Sequence, residues 1–390
     1  MGKLFAVSAP GLEIFTTQEL RSLGLLVLTD AITSLPAKAR ANRSEDETGG
    51  AAFEGDLRSI YLANLWLRTA SRVLVRFGDF NAAAFSELEK KASRLSWETY
   101  LEAGRPVAMR VTCHKSRLYH SDAVARTLVK AVGDRLGRAP KLIKYDENIP
   151  SDDPQLVIVR LVHDHCAISI DSSGASLHRR GYRLATAKAP LRETLAAGML
   201  IASGWDGVSP LLDPFCGSGT IPIEAALMSR FIPPGGSRRF AFMDWPGFDH
   251  LLWESVLAES KTKVRNQSAA IGASDRDAGA INMARANAER AGVAEYIDFS
   301  CRAISAIEPS GIGWVVTNPP YGIRVSSNKD LRNLYAQLGN VLRLKCRGWH
   351  VNVLCNDYQL LGNIGLQFDT SLSFVNGGLP VKFARGTVEG

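Results

Sequence analysis

The sequence predicts an α/β protein whose C-terminal half holds a mostly parallel sheet with helices on both faces. Three segments support this prediction. An apolar strand ends in a glycine-rich turn that opens a helix over residues 208–228, and a second strand, turn and helix follow over 269–293. A third strand ends in a proline-stiffened polar loop over 314–322. Such sheets bind their ligands at loops that follow the carboxyl ends of the strands.

Length and composition narrow the class of protein. The 390 residues are 46% hydrophobic and 22% charged, which is typical of a globular chain with two or three domains. No apolar stretch approaches the ~20 residues of a membrane span. The N-terminus lacks the apolar run of a secretion signal. We therefore expect a cytoplasmic protein.

The cysteines and histidines do not predict a metal site. Six scattered cysteines form no CxxC pair, so we expect free thiols in a reducing compartment. His163 and His165 form an HxH pair, but no third ligand is near in the sequence. This pattern favours two strand or loop histidines over a metal centre, and we predict no metal.

The net charge of +7 is divided unevenly along the chain. Residues 1–192 contain 28 Lys and Arg against 21 Asp and Glu, whereas residues 193–390 contain 18 of each class. The whole excess of positive charge therefore lies in the N-terminal half, where a polyanion such as nucleic acid would be attracted. An ordinary solvated surface explains so modest an excess equally well.

The first third of the chain predicts alternating strands and helices. Residues 1–35 have the pattern of a strand, a helix and a second strand, and residues 37–50 that of a polar loop. Residues 57–76 run from an amphipathic helix into a strand. A helix is predicted over residues 84–103 and a strand over 105–115.

A helix and a hairpin are predicted before residue 172. The helix covers residues 118–137, with Ser121 or Asp122 placed to cap it. Residues 155–171 alternate as two strands around a His-Asp-His turn.

A basic connector, SLHRRGYRLATAKAPLRETLAAGML, follows over residues 176–200 and becomes helical from Leu191. Tyr182 stands among its basic residues, and because arginine pairs with phosphates and tyrosine stacks on bases, nucleic-acid contact is one interpretation. A charged linker whose arginines bind carboxylates of the same protein is the other. The candidate RNA-contacting residues here are Arg179, Arg180, Arg183 and Lys188.

The strand that ends at Asp213 is followed by the turn Cys216-Gly217-Ser218-Gly219-Thr220 and a helix. Glycines permit a tight turn and let a ligand approach the backbone closely, so a mononucleotide-like cofactor is predicted there. The Walker lysine is absent, which argues against ATP or GTP. The candidate cofactor-binding residues of this loop are Asp213, Pro214, Phe215, Cys216, Gly217, Gly219 and Thr220.

Two further loops carry polar candidates. Asp275 ends its strand where a carboxylate can accept both hydroxyls of a ribose, and Asp277 has a minor role there. Capping of the next helix is the structural alternative for both aspartates.

In the loop Asn318-Pro319-Pro320-Tyr321, the Asn318 side chain and the Asn318–Pro319 carbonyl are acceptors suited to an exocyclic amino group, and Tyr321 can stack on a base.

The motifs DPFCGSGT and NPPYG, in this order, resemble those of class I methyltransferases that modify exocyclic amino groups. With LHRRGYR and APLRETLAAGML before them, the whole chain resembles the bacterial THUMP-domain RNA guanine-N2 methyltransferases, most closely the 23S rRNA type. The segments EGDLRSIYLANLWLRTASRVLVRFGDF and VTCHKSRLYHSDAVA match the family's N-terminal part and THUMP domain, and Lys115 lies in the second.

The resemblance implies four parts of the chain. They are a ferredoxin-like segment (1–75), an RNA-binding THUMP domain (76–171), a basic linker (172–192) and a Rossmann-like class I methyltransferase domain (193–390). S-adenosylmethionine would be the cofactor, Asn318 to Tyr321 would hold the guanine, and Lys115 would contact RNA. Relatives often have an aspartate where this chain has Ala303, so adenine recognition would rest on backbone groups or on Ser305. They also continue NPPY as Gly-Glu-Arg, whereas this chain has Gly322-Ile323-Arg324.

The expected activity is therefore methylation of guanosine N2 in RNA, and 23S rRNA is the expected substrate. Three alternatives stay open. They are a tRNA guanine-N2 methyltransferase of the same family, an adenine-N6 methyltransferase of DNA or RNA, and an RNA-binding module without enzymatic activity. The sequence does not predict the oligomeric state.

Overall fold

The computed structural model describes residues 2–28, 49–145, 154–183, 191–321 and 328–389. The chain forms two compact units. The first unit comprises residues 1–8, 16–177 and 238–258, and the second comprises 9–15, 178–237 and 259–390. Within the described ranges, no helix combines the length and the apolar character needed to cross a bilayer. The four-part division from the sequence stays a prediction.

The first unit is built on one mixed sheet, in which the described residues contribute eight strands. Their order is β2-β3-β1-β4-β8-β7-β5-β6, with β5 parallel to β6 and β7 and the remaining pairs antiparallel. The strands are β1 (Gly2–Ser8), β2 (Leu26–Val27), β3 (Gly50–Gly55), β4 (Ala70–Asn81), β5 (Val107–His114), β6 (Leu142–Ile143), β7 (Gln155–Val162) and β8 (His165–Asp171).

Four helices precede the basic connector in the described residues. They are α1 (Glu13–Ser22), α2 (Leu57–Trp66), α3 (Phe85–Ala92) and α4 (Ser121–Leu136). The helix predicted over 84–103 is shorter than expected, because the chain turns after Ala92 and buries Trp97, whose indole N–H donates to the Ala92 carbonyl at 2.8 Å. The predicted cap of α4 is also wrong. His120 occupies the N-cap position without a side-chain capping bond, and Asp122 lies in the first turn.

A segment from the C-terminal half completes the core of the first unit. Residues 238–258 contribute Phe242 and Trp253, which pack against Tyr61 of α2 with ring centroids 4.5 and 5.6 Å away. The Tyr61 hydroxyl accepts a hydrogen bond from the backbone N–H of Asp249 at 3.0 Å. This apolar cluster is therefore assembled from residues nearly 200 positions apart in the chain.

The second unit contains a seven-stranded sheet among its described residues, in the order β11-β10-β9-β12-β13-β15-β14. Strands β9 to β13 are parallel, and β15 runs antiparallel to both β13 and β14. The strands are β9 (Leu211–Asp213), β10 (Ile271–Asp275), β11 (Ile297–Cys301), β12 (Trp314–Thr317), β13 (His350–Cys355), β14 (Asp369–Asn376) and β15 (Leu379–Thr387).

Helices cover both faces of this sheet, which confirms the predicted fold class. The helices on its faces are α5 (Glu193–Ala202), α6 (Thr220–Ser229), α8 (Ala278–Arg290), α9 (Asn328–Lys345) and α10 (Tyr358–Ile364). Helix α7 (His250–Thr262) begins in the segment 238–258 and packs Trp253 and Val256 into the core of the first unit. Val316 packs in the cluster with α5, α6 and α8, whereas its neighbour Val315 packs in the cluster with α9 and α10. The carboxyl ends of β9, β10 and β12 consequently meet at one edge of the sheet.

Candidate active site

The glycine-rich loop between β9 and α6 depends on two glycines with left-handed backbone. Gly217 has φ +51° and Gly219 has φ +84°, a region that side chains disfavour. A Cβ added at Gly219 would lie 2.9 Å from the Cβ of Ala284 in α8, so the loop also packs too closely for a larger residue. Asn287 of α8 donates its side-chain N–H to the Ser218 carbonyl at 3.0 Å. The loop is thus held against α8 with its backbone exposed to a ligand.

A cavity of about 550 Å³ opens at this loop. It brings together the loop, the first turns of α6 and α8, and the start of the NPPY loop. Its lining residues are Leu191, Asp213, Phe215, Cys216, Gly217, Ser218, Thr220, Ile221, Asp277, Gly279, Ala280, Met283 and Asn318. Most of the predicted cofactor loop therefore lines one cavity together with Asn318.

The two aspartates after β10 have different positions. Asp275 does not line the cavity; its carboxylate accepts hydrogen bonds from the backbone N–H groups of Gly217 (3.1 Å) and Asp277 (3.0 Å). Asp277 lines the cavity and also caps α8, because its carboxylate accepts from the N–H of Gly279 at 2.8 Å. The capping alternative thus describes Asp277, while Asp275 ties the glycine-rich loop to the start of α8.

Asp213 is a buried carboxyl group at the end of β9. It accepts a hydrogen bond from the Thr317 hydroxyl at 2.7 Å, which joins the ends of β9 and β12. Burial is the main cause that raises the pKa of Asp213 to about 7, against the stabilising bonds from Thr317 and from the Phe215 N–H. The group therefore changes charge near neutral pH, inside the cavity lining.

We expect Asp213 to make folding less favourable as the pH rises. The pKa of Asp213 is about 7 in the folded protein and 3.8 in the unfolded chain. Its contribution to the free energy of unfolding is therefore fully present below pH 4 and is lost by about pH 7. The loss is at most about 4 kcal/mol. Urea unfolding of the parent and of Asp213→Asn at pH 5 and pH 7.5 would measure this effect. At the higher pH, the free energy of unfolding of the parent should fall relative to that of the variant. An unchanged difference between parent and variant would contradict this.

The NPPY loop presents one unsatisfied acceptor. The side-chain Oδ1 of Asn318 is buried and has no hydrogen-bond partner among the described residues, although Asn318 lines the cavity. Pro319 is buried and Pro320 is exposed. A buried amide oxygen without a donor is costly, so the arrangement favours a ligand that brings an N–H group.

Sequence reasoning missed the residue that holds Tyr321. The Asn376 side-chain N–H, at the end of β14, donates to the Tyr321 hydroxyl at 2.8 Å. Asn376 precedes two glycines with positive φ, Gly377 and Gly378, which close the β14–β15 hairpin. An Asn-Gly-Gly turn signal is visible in the sequence, but its partner 55 residues away is not.

Two arginines of the basic connector lie beside carboxylates of the same protein, as the second interpretation of this segment describes. Arg180 is only 4% exposed, and its Nε lies 3.5 Å from Oε1 of Glu224 in α6. Arg183 lies 3.6 Å from Oε1 of Glu193 and donates to the Thr220 hydroxyl at 2.5 Å. Arg180 is buried and Arg183 is partly buried, and both lie beside carboxylates of the same protein, so contact of these two arginines with RNA stays a prediction.

The remaining candidates lie elsewhere or outside the described residues. Arg179 is half-buried, and Lys115 is exposed after β5 with φ +46°. Ala303 is exposed, precedes a short 3₁₀ turn and does not line the cavity. Lys188 and residues 322–324 fall outside the described ranges. Within those ranges, no group of three His, Cys, Asp or Glu side chains could hold a metal ion.

Family models match three consecutive parts of the chain. An RlmL ferredoxin-like domain matches residues 37–74, a THUMP domain 82–171 and an RMKL-like methyltransferase domain 180–380. A Synechocystis protein named as an RNA methyltransferase is 35% identical over 98% of this chain and 95% of its own. Ribosomal RNA large subunit methyltransferase K/L from a Shewanella species is 33% identical over 98% of this chain. The chain spans about half of that relative, 52% of its length.

Two solved structures are similar over nearly the whole chain. The methyltransferase SMU.472, crystallised with SAH, is 29% identical, has a TM-score of 0.84 and is matched over 100% of this chain and 98% of its own. A Listeria monocytogenes protein described as an N6-adenine-specific DNA methylase is 32% identical, with a TM-score of 0.82 over 98% and 95% of the two chains. These matches confirm the family predicted from DPFCGSGT and NPPYG. This chain belongs to the RMKL-like methyltransferase family and uses S-adenosylmethionine as its methyl donor.

Proposed function

We propose that this protein methylates the exocyclic N2 of a guanosine in RNA and that large-subunit rRNA is its substrate. The observation that carries the proposal is the buried Asn318 Oδ1, an acceptor without a donor in the lining of the cofactor cavity. The names of the Synechocystis and Shewanella relatives support RNA and large-subunit rRNA as the substrate class. The excess of basic residues before residue 193 supports a polyanionic substrate.

The residues of the cavity fit the cofactor. Gly217 and Gly219 leave room for a ligand against the loop backbone, and Asp277 adds a carboxylate to the lining. Asp275 keeps its predicted ribose role as a proposal, since a carboxylate oxygen that accepts one backbone N–H retains a further lone pair. When bound, S-adenosylmethionine supplies an electrophilic methyl group on its sulfonium.

Asn318 would orient the attacking amine. The lone pair of a guanine N2 amino group is delocalised into the ring, so the amine is a weak nucleophile. Donation of its hydrogens to Asn318 Oδ1 and to the Asn318–Pro319 carbonyl would favour the lone pair pointing away from both acceptors. Pro319 and Pro320 restrict the backbone of this loop, which reduces the entropy lost when the base is held.

Tyr321 would hold the base itself. Its ring packs partly buried beside the apolar clusters on both faces of the sheet, and its hydroxyl is fixed by Asn376. A tyrosine ring held at both ends is suited to stack on a nucleobase that has left its helix. No general base is required in this proposal, because the amine can lose its proton to water after methyl transfer.

The test is the chemical identity of the product. Purified protein would be incubated with labelled S-adenosylmethionine and separately with rRNA and tRNA from cells that lack the protein. Digestion to nucleosides and mass spectrometry should identify N2-methylguanosine in large-subunit rRNA. Label in tRNA alone would contradict the substrate, and labelled N6-methyladenosine would contradict the base.

An adenine-N6 methyltransferase is the second candidate. The name of the Listeria structure favours it, and the NPPY loop orients an amino group without reading a particular base. Duplex DNA is therefore included as a third substrate in the same assay. A module that binds RNA without catalysis would leave all three substrates unlabelled, and S-adenosylmethionine would then fail to raise the melting temperature.

A further inference from the structure

One face of the seven-stranded sheet is covered by helices over only part of its width. Helices α9 and α10 pack on the face that holds Val315 of β12 and Val353 of β13. The connection from β11 to β12, residues 302–313, contains one 3₁₀ turn, Ile304–Ala306, and no α-helix. Strands of a parallel sheet are normally covered on both faces. Among the described residues, this connection leaves the same face of β10 and β11 without a helix.

A groove of about 670 Å³ opens over this part of the sheet. Its floor follows the strand register, because Leu212 of β9 is paired with Gly272 of β10, and Gly272 is paired with Asp298 of β11. Ser274 and Ser300 form the next pair along the same strands. The apolar residues between them pack on α8, so the floor belongs to the opposite face. We name this feature the sheet groove.

The sheet groove is separate from the cofactor cavity. The residues that line the two cavities have no member in common. They are nevertheless close along the chain, because Ser274 accepts the Cys216 N–H at its carbonyl (3.0 Å) and precedes Asp275. A ligand in the groove and S-adenosylmethionine can therefore bind at the same time.

One buried hydroxyl group in the groove floor lacks a partner. Ser274 is 2% exposed, and its Oγ makes no hydrogen bond within the described ranges. A buried polar atom without a partner is unfavourable, so this hydroxyl indicates a ligand that brings a donor or an acceptor. A serine hydroxyl can donate and accept, and a peptide backbone or an ammonium group satisfies it.

The charges of the sheet groove favour a cationic ligand. Three carboxylates line it, those of Glu295, Asp298 and Glu308. The cationic side chain in the described lining is that of Arg302, which donates to the Ala306 carbonyl at 3.4 Å. In the part of the chain that the structure describes, none of the three carboxylates has a lysine or arginine within ion-pair distance. The groove thus carries a net negative charge, although residues 193–390 as a whole are neutral.

We infer that the sheet groove binds an extended, lysine- or arginine-rich segment of a partner protein. The basic side chains would pair with the three carboxylates, and the segment's backbone would bond to the Ser274 hydroxyl. The floor from β9 to β11 spans two strand intervals, about 10 Å, which is the length of about three residues of extended chain. RNA is disfavoured here, because carboxylates repel phosphates. The inference does not depend on which base or RNA the enzyme methylates.

The test is peptide binding by the full chain. Fluorescence anisotropy would follow a labelled peptide of alternating lysine and alanine, which should bind, and one of alternating glutamate and alanine, which should not. Asp298→Lys should weaken binding of the lysine peptide roughly tenfold or more, because it places a like charge in the groove. Ser274→Ala should weaken it by about three- to tenfold, the effect of one hydrogen bond. The matched control is Glu289→Lys, an exposed position on α8, which should bind like the parent.

Five results would overturn the inference. They are no saturable binding of the lysine peptide by the parent, parent-like binding by Asp298→Lys, equal losses in Asp298→Lys and Glu289→Lys, displacement of the peptide by S-adenosylhomocysteine, and displacement by equimolar spermidine. Displacement by S-adenosylhomocysteine would place the peptide in the cofactor cavity, and displacement by spermidine would show that the groove takes a small polyamine. Thermal unfolding of each variant checks that the fold is intact.

Discussion

Replacement of Asn318 by alanine is expected to lower methyl-transfer turnover by roughly 10²- to 10³-fold, the loss typical of one preorganised polar group at a reacting atom. The side-chain Oδ1 of Asn318 has no other partner among the described residues, so its removal takes away an acceptor without disrupting the fold. The glycine-rich loop, which forms much of the cavity, is unchanged. The affinity for S-adenosylmethionine should therefore stay near that of the parent.

Single-turnover methylation and calorimetric titration of the cofactor would measure the two quantities. Asn318→Asp is the matched control, because it keeps an acceptor oxygen at the same position and should retain more activity than the alanine variant. Near-normal turnover of Asn318→Ala would exclude the proposed role of this loop. A parallel loss of cofactor affinity would assign Asn318 to cofactor binding instead.

Replacement of Glu224 by alanine is expected to lower the free energy of unfolding by about 3–5 kcal/mol, because it removes one partner of a buried charge pair. Glu224 is 0% exposed; its Oε1 lies 3.5 Å from Arg180 and accepts from the Tyr182 hydroxyl at 3.2 Å. Without it, a guanidinium that is 4% exposed loses this carboxylate in a site closed to water, and Glu193 is the nearby carboxylate that remains.

Urea unfolding would measure this loss. Asp369→Ala is the matched control, because the pair between Asp369 and Arg385 is exposed and should contribute less than about 1 kcal/mol. Glu224→Gln keeps an acceptor for Tyr182 but not the charge, so it separates the hydrogen bond from the ion pair. Equal stability of the Glu224→Ala variant and the parent would show that the buried pair adds nothing to the fold.

The fold and the cavity were largely predictable because their signals are local. Strand ends at Asp213, Asp275 and Thr317 come from apolar runs followed by turn residues, and parallel strands bring their carboxyl ends together. Gly217 and Gly219 are needed where the backbone has positive φ, which the glycine-rich turn already indicates. The sequence therefore predicted most residues of the cavity without any long-range contact.

Contacts between residues far apart in the sequence could not be predicted in the same way. The arginines of the segment RRGYR can bind a phosphate or a carboxylate equally well. Arg180 pairs with a carboxylate because Glu224 lies beside it, and Glu224 is over 40 residues later in the sequence, in a helix. The contact between Asn376 and Tyr321 likewise joins two loops that have no shared pattern. The difference between Asp275 and Asp277 is a matter of backbone geometry within three residues, below what periodicity can distinguish.

The position of residues 238–258 in the core of the first unit has a consequence for biosynthesis. A ribosome releases the chain from its N-terminus, and domains commonly begin to fold as they emerge. Phe242 and Trp253 emerge long after Tyr61, the ring against which both pack. The first unit must therefore wait, with part of its apolar surface unfilled, until translation has passed residue 258, by which time residues 178–237 of the second unit have already been made.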